Sequence, residues 1–416
     1  MLPEIDHIVV VMMENHSYDN VLGMLGRGPG EKPRGDGFTL VADGRPTAAN
    51  PDGHGNLIHA FPMPNPCQEK GKPWQTWDAT HQSYDGGRMD GFVESPSGPV
   101  AMGYYTGALL PFTYSLASTF PIADRYFSSV MAQTYPNRLF LMGGTSLGQV
   151  SDASLAVRPP AGTVFDMLDA HGISWRNYHS SLPSSWIYAD YITDSSFNAN
   201  VVGIDRFFED ASTGSLPSFA IVDPDFEKSS EEDPQDVQYG DQFLGQVVNA
   251  IMQSPAWPKV LLVWTYDEHG GYYDHVPPPP AVPPDSVPPK LPPNDPYPGG
   301  FDRYGIRVPA GVVSPFAKRD YVSHVVYDHT SILRLVETKW NLPSLTARDA
   351  NAANLLDMVD LHRRPAFLEP PELASPANPA ALSGCLLTGP GTIPPPGYVS
   401  PGTPPPAGRS GGSPSP

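Results

Sequence analysis

Short blocks of consecutive apolar residues, rather than alternating ones, punctuate this chain. Ile8–Met13 (IVVVMM) is a β-branched run of the kind that forms a strand buried on both faces, which favours a parallel sheet. Ser218–Val222, Val260–Thr265 and Ile306–Val313 repeat the pattern. Helical periodicity separates them, in Asp241–Met252 and Thr330–Trp340, and a further helical stretch, Tyr18–Leu25, follows the first run. Strand and helix alternating in this way predict an α/β fold. Residues 27–80 are rich in Gly, Pro and Asp with little periodicity, and Pro277–Gly300 is too dense in proline for a central strand. Both segments are predicted as long surface loops.

Composition bounds this picture. The chain has 416 residues and is 40% hydrophobic, enough for one large core. We assign residues 1–387 to a single catalytic domain. Residues 388–416 are nearly all Pro, Gly, Ser and Thr, too poor in apolar groups to offset ordering entropy, and are predicted as a disordered tail. The formal charge of −19, with no basic run to compensate, argues against nucleic-acid or anionic-lipid contact, so any phosphate must be held locally. Cys67 and Cys385 define neither a disulfide framework nor a thiolate metal site. The N-terminus has no basic segment or cleavage pattern, and no membrane span is visible; as written the chain reads as cytoplasmic.

Polar residues cluster where the buried runs end. Glu14 and Asn15 follow the first, at the carboxyl edge where open α/β sheets bind ligands. A carboxylate and an amide oxygen make a corner for a hard cation, although Asn15 and Ser17 also read as helix caps. Val260–Thr265 runs into YDEHGGYYDH, where Asp267 and Glu268 would repel each other unless a cation lies nearby. In QTYPNR, Pro136 suits the first turn of a helix and leaves Thr134 at a helix N-terminus, a cradle for an anion. A threonine there is otherwise simply a cap; its hydroxyl becomes a nucleophile when a metal lowers its pKa. Gly144–Gly148 fits the G-x-S-x-G elbow of serine esterases, with Ser146 as nucleophile, but no amphipathic helix follows it. His81, in THQSYDGGRMDGF, and His179, His269 and His275 are the histidines beside candidate loops.

Taken together, IDHIVVVMMENHSYDNVLG, HQSYDGGRMDGF, LPFTYSLASTFPIADRYFSSVMAQTYPNRLFLMGGT, YDEHGGYYDHVPPP and YDHTSILRLVETKW resemble a family of bacterial phosphoesterases. That family includes phosphatidylcholine-type phospholipases C and acid phosphatases. The resemblance runs from about Ile5 to Leu342 and implies a three-layer α/β/α core like that of alkaline phosphatases, with long loop insertions. It implies metal ligation by Glu14, Asn15, Thr134, Asp267 and Glu268, a nucleophilic Thr134, and His81 and His179 on phosphate oxygens or the leaving group. It also implies that Arg138 pairs with a carboxylate near the nucleophile. Substrate contacts are expected at Asn137 and Asp233.

Three departures qualify the transfer. His16 stands where the family has Arg or Lys. Glu231-Glu232-Asp233-Pro234 stands where the family has a histidine before the proline, so Asp233 replaces an expected phosphate contact and favours a monoanionic diester over a dianionic monoester. The larger phospholipases C carry C-terminal domains beyond the core, where this chain has its proline-rich tail. The activity implied is metal-dependent hydrolysis of phosphoric esters through a phosphothreonine at Thr134. Oxygen ligands favour calcium or magnesium, with zinc as the alternative. The rival readings are a serine carboxylesterase using Ser146 and a relative that binds phosphoryl ligands without turning them over.

Overall fold

In the computed structural model, residues 2–68 and 73–379 are described; the expected tail at 388–416 lies outside them. The strands of the main sheet are β1 (His7–Met13), β2 (Ile122–Ala123), β3 (Trp175–His179), β4 (Val201–Gly203), β5 (Phe219–Asp223), β6 (Val260–Tyr266), β7 (Ala310–Val313) and β8 (Val322–Ser323). The helices that matter here are α1 (Tyr18–Leu22), α2 (Trp77–Tyr84), α3 (Pro111–Thr119), α4 (Thr134–Gly143), α5 (Ile204–Thr213), α6 (Val237–Met252) and α7 (Thr330–Trp340).

The sheet runs β8-β2-β7-β6-β1-β5-β3-β4. β1 lies at its heart, parallel to both β6 and β5. Every residue of β5 and β6 is buried, as is β1 after His7, so both faces of the sheet are covered. This is the mixed α/β architecture with a large central sheet that the uniform apolar runs predict. Helices α3 and α5 pack on α6, and α4 packs on α7.

The sheet is not wholly parallel. β7 is antiparallel to both β6 and β2. It also begins at Ala310 rather than Ile306, because Pro309 has no N–H to give the ladder. Segment 27–80, expected as loop, holds a short hairpin (Ala49–Pro51 with Leu57–His59) and the start of α2. The Pro277–Gly300 excursion is irregular as expected and is tied to α2 by Trp77 Nε1 donating to the Tyr297 carbonyl at 2.9 Å. Helix α1 ends at Leu22 rather than Leu25, where the Phe38 ring closes on Gly23. Helix α6 starts four residues before the expected Asp241, capped by Asp236, which accepts from Gln238 N at 2.9 Å. Among the described residues, no helix is long and apolar enough to cross a membrane.

Candidate active site

The pairing of β1 with β6 assembles the site. Their register sets Met13 beside Tyr266, so the residues that follow each strand, Glu14-Asn15 and Asp267-Glu268, leave the sheet side by side. Asp267 N donates to the Met13 carbonyl at 3.0 Å, extending the ladder one step beyond the strands. The chain then turns sharply on both sides. Asn15 has φ 66, a left-handed conformation that asparagine tolerates better than most residues. Opposite it, Gly270 has φ 65, and a Cβ there would lie 1.9 Å from the Asn15 carbonyl oxygen. The glycine pair after Glu268 is therefore a requirement of close approach.

Helix α4 closes the site from above. Thr134 opens it, and Arg138, one turn on, presents its guanidinium on the same face. Arg138 Nε donates to Asp267 Oδ2 at 3.0 Å, and its other nitrogens lie 3.5 Å from Asp223 and 3.7 Å from Glu14. Three buried carboxyl groups thus share one guanidinium. The consequence is electrostatic. Burial, with Asp267 close by, pushes the Glu14 carboxyl up to about 8 against the pull of Arg138. Burial likewise raises Asp267, Glu268 and Glu232, the last two well above the usual carboxyl range. In addition, Asn15 Oδ1 and Glu268 Oε1 are buried acceptors with no hydrogen-bond partner. Orphaned oxygens among carboxyls held unfavourably in one another's field are what a hard divalent cation would satisfy. The donor types suit such an ion.

The site opens into a cavity of about 510 Å³. Glu14, Thr134, Arg138, Asp152 and Glu232 form its polar end, and Leu182, Trp186, Ile187 and Ile192 its apolar side. Leu182 and Ile192 are 60% and 47% exposed, so this apolar side reaches the surface.

Not every expected residue comes here. His81 sits on α2 with Nδ1 bonded to the Trp77 carbonyl at 2.8 Å and its ring against Trp77 and Tyr297. It lines a separate cavity with Met131 and Arg303. His179 ends β3 with Nδ1 on the Ser181 carbonyl at 2.7 Å, and it too is absent from the lining of the Thr134 cavity. Asn137, where a substrate contact is expected, has its Oδ1 accepting from Ser129 N and Val130 N and its Nδ2 donating to the carbonyls of Ala132 and Gln133. That side chain shapes the turn before α4. Asp233 does not line the cavity; its neighbour Glu232 does. Asp233 reaches the site through its charge, which helps raise the Glu232 carboxyl.

Asp152, Glu232 and His329 were not singled out in the sequence. Asp152 Oδ1 accepts from Tyr135 N at 2.8 Å, and its carboxyl, short of water in the cavity, is pushed up to about 6. His329, inside the YDHTS motif, bonds through Nε2 to the Asp267 carbonyl at 2.6 Å and so braces the turn after β6. Ser146 follows the end of α4 rather than a strand, and its Oγ is fully buried without a partner. The elbow geometry is absent. A second acidic group, Asp19, Asp274 and His275, brings its ligand atoms within 4.8 Å of one another. Arg307 fills it, at 3.2 Å from Asp19 and 2.9 Å from Asp274, and makes it a charge-balanced structural cluster.

A hydroxyl at a helix N-terminus, Thr134, thus lines one cavity with Glu14, the carboxyl that follows the central strand β1. Residues 5–343 match the model of the Phosphoesterase family, and the chain belongs to that family. It is 32% identical to a protein of Arabidopsis thaliana named non-specific phospholipase C1, over 82% of this chain and 68% of that one. It is 30% identical to phospholipase C B of Mycobacterium tuberculosis, over 90% and 80% of the two chains. Among solved structures, a phosphonate monoester hydrolase of Agrobacterium radiobacter aligns at 9% identity over 85% of this chain and 77% of that one, with a TM-score of 0.41. A Vibrio parahaemolyticus protein of the alkaline phosphatase superfamily aligns at 12% identity over 69% and 71%, with a TM-score of 0.37. The chain is a phosphoric ester hydrolase.

Proposed function

We propose that this hydrolase transfers the phosphoryl group of its substrate to Thr134 and then to water, with a divalent cation held by Glu14, Asn15, Thr134, Asp267 and Glu268. The observation that carries this reading is the pair of orphaned oxygens, Asn15 Oδ1 and Glu268 Oε1, the first on the residue next to Glu14, which lines the Thr134 cavity. When bound, the cation supplies charge neutralisation and a lowered pKa for the Thr134 hydroxyl.

The residues of the chain do the rest. Thr134 Oγ1 attacks phosphorus in line, an Oγ1–P bond forms, and the bond from phosphorus to the leaving alcohol breaks. Asp152, whose carboxyl lines the cavity, gives the leaving oxygen its proton. Its carboxylate then takes a proton from the water that hydrolyses phosphothreonine, and the departing Thr134 Oγ1 recovers from solvent the proton it gave up before attack. The N-terminal amides of α4 favour the negative charge gathered on the equatorial oxygens. Leu182, Trp186 and Ile192 fit an apolar alcohol such as a diacylglycerol. When ionised, Glu232 at the cavity wall, together with the neighbouring charge of Asp233, disfavours a dianionic monoester.

Two measurements check this reading. Hydrolysis of matched chromogenic mono- and diesters should vanish in chelator, return with one added divalent metal, and be faster for the diester. Full activity in chelator would refute the cation, and a faster monoester would refute the role given to Glu232 and Asp233. The pH profile tests the proton donor. Asp152 is the acid form below about 6 and ionised above it, so kcat should fall as pH rises through that value. Asp152→Asn should lower kcat and flatten that limb, and an unchanged profile would remove Asp152 from the reaction.

A further inference from the structure

An asparagine can give a cation only its amide oxygen, so something must hold the amide nitrogen the other way. At Asn15 the holder is visible. Nδ2 donates to Glu232 Oε2, whereas Oδ1, buried, has no partner. In its ionised form Glu232 only accepts, and this contact then decides which end of the amide faces the site. The Asn15 backbone is already fixed by its N–H to Asp267 Oδ1 at 3.4 Å and by the close approach of Gly270. Rotation of the side-chain amide is the freedom left, and Glu232 removes it.

Glu232 is itself built into place. Its N–H donates to Ser230 Oγ at 3.3 Å, and its carbonyl accepts from Gln68 Nε2 at 3.3 Å. Gln68 also holds the Glu231 carbonyl at 2.6 Å. Gln235 Oε1 accepts from the N–H groups of Ser230 and Glu231 at 3.0 Å each, closing the loop beneath the carboxylate.

We propose that Glu232 is the positioning residue that aims the Asn15 amide oxygen at the divalent cation, and that it sets cation affinity without being a ligand. This rests on the cation reading above. A hydrogen-bonded partner of a metal ligand typically changes metal affinity by about 10–100-fold when removed.

The test is calorimetric titration of metal-stripped protein with Mg²⁺ and with Ca²⁺, with no substrate present. Glu232→Leu should weaken binding by about tenfold or more. Glu232→Gln, whose side-chain oxygen can still accept from Asn15 Nδ2, should restore most of that loss, and its circular dichroism should match the wild type. The decisive comparison is a double-mutant cycle. Glu232→Leu added to Asn15→Ala should cost nothing further, because the amide it positions is gone. Equal losses in Glu232→Gln and Glu232→Leu, or additive losses in the double mutant, would make Glu232 a direct ligand and overturn the proposal. Wild-type affinity in Glu232→Leu beside weakened binding in Asn15→Ala would overturn it while leaving the cation reading intact. Failure of wild-type protein to bind either ion would remove both.

Discussion

Replacing Thr134 by alanine should lower kcat by at least about a thousandfold, the scale set by loss of a covalent nucleophile. The effect should be this large because Thr134 is the lining hydroxyl at the N-terminus of α4, a position that Ser154 and Ser184, which also line the cavity, do not hold. Thr134 opens α4 at the polar end of the cavity, whereas Ser146 is fully buried beyond the other end of that helix. Residual turnover would then come from direct attack by water in a site that still neutralises phosphoryl charge. Thr134→Ser should keep partial activity, since the hydroxyl stays and only the methyl that fixes its rotamer is lost. Quenching wild-type protein in acid during turnover should leave phosphate on the peptide that carries Thr134, and Thr134→Ala should leave none. A Thr134→Ala enzyme that keeps more than roughly a tenth of the wild-type rate would give the nucleophile's role to another group.

The carboxyl edge of the sheet was legible in the sequence because two different signals coincide there. The uniformly apolar runs at Ile8–Met13 and Val260–Thr265 mark strands buried on both faces, and polar residues beginning at the next position mark where each strand leaves the core. Any parallel pairing of the two in register brings Glu14-Asn15 against Asp267-Glu268, as found. Strands outside this pattern were harder to see. Trp175–His179 carries Arg176, Asn177 and His179, and its buried polar side chains are satisfied by partners remote in sequence: Asn177 Nδ2 donates to Asp223 at 2.7 Å. Hydropathy cannot register such a strand. The histidines were hard to place for a related reason. His81 looks catalytic in a Gly- and Asp-rich context, yet α2 turns it back onto its own helix. Glu232 and Asp152 lie in segments without periodicity, and only the fold brings them to Thr134.

Arg138 should be the most costly residue at the site to remove for stability, and the loss should depend on metal. Its guanidinium is 1% exposed, paired with Glu14, Asp223 and Asp267, and bonded to the Met12 and Met13 carbonyls at 3.2 and 3.4 Å. Arg138→Met keeps much of the volume but strands those carboxyls, and removing one partner of a buried ion pair costs about 3–5 kcal/mol. The sign of its pH dependence follows from the carboxyls. Burial raises the folded pKa of Glu14, to about 8, and of Asp267, and Arg138 opposes that rise by favouring their ionised forms. The stabilisation it provides is therefore full where those groups are ionised and fades as pH falls and they take up protons. Denaturant unfolding in chelator should show a larger gap between wild type and Arg138→Met at pH 8 than at pH 5. A divalent cation bound by Glu14 and Asp267 neutralises the same charge, so saturating Mg²⁺ or Ca²⁺ should narrow the gap at pH 8 by binding the folded variant. If the gap at pH 8 is equal in chelator and in saturating cation, the ion does not sit among the carboxyls that Arg138 holds.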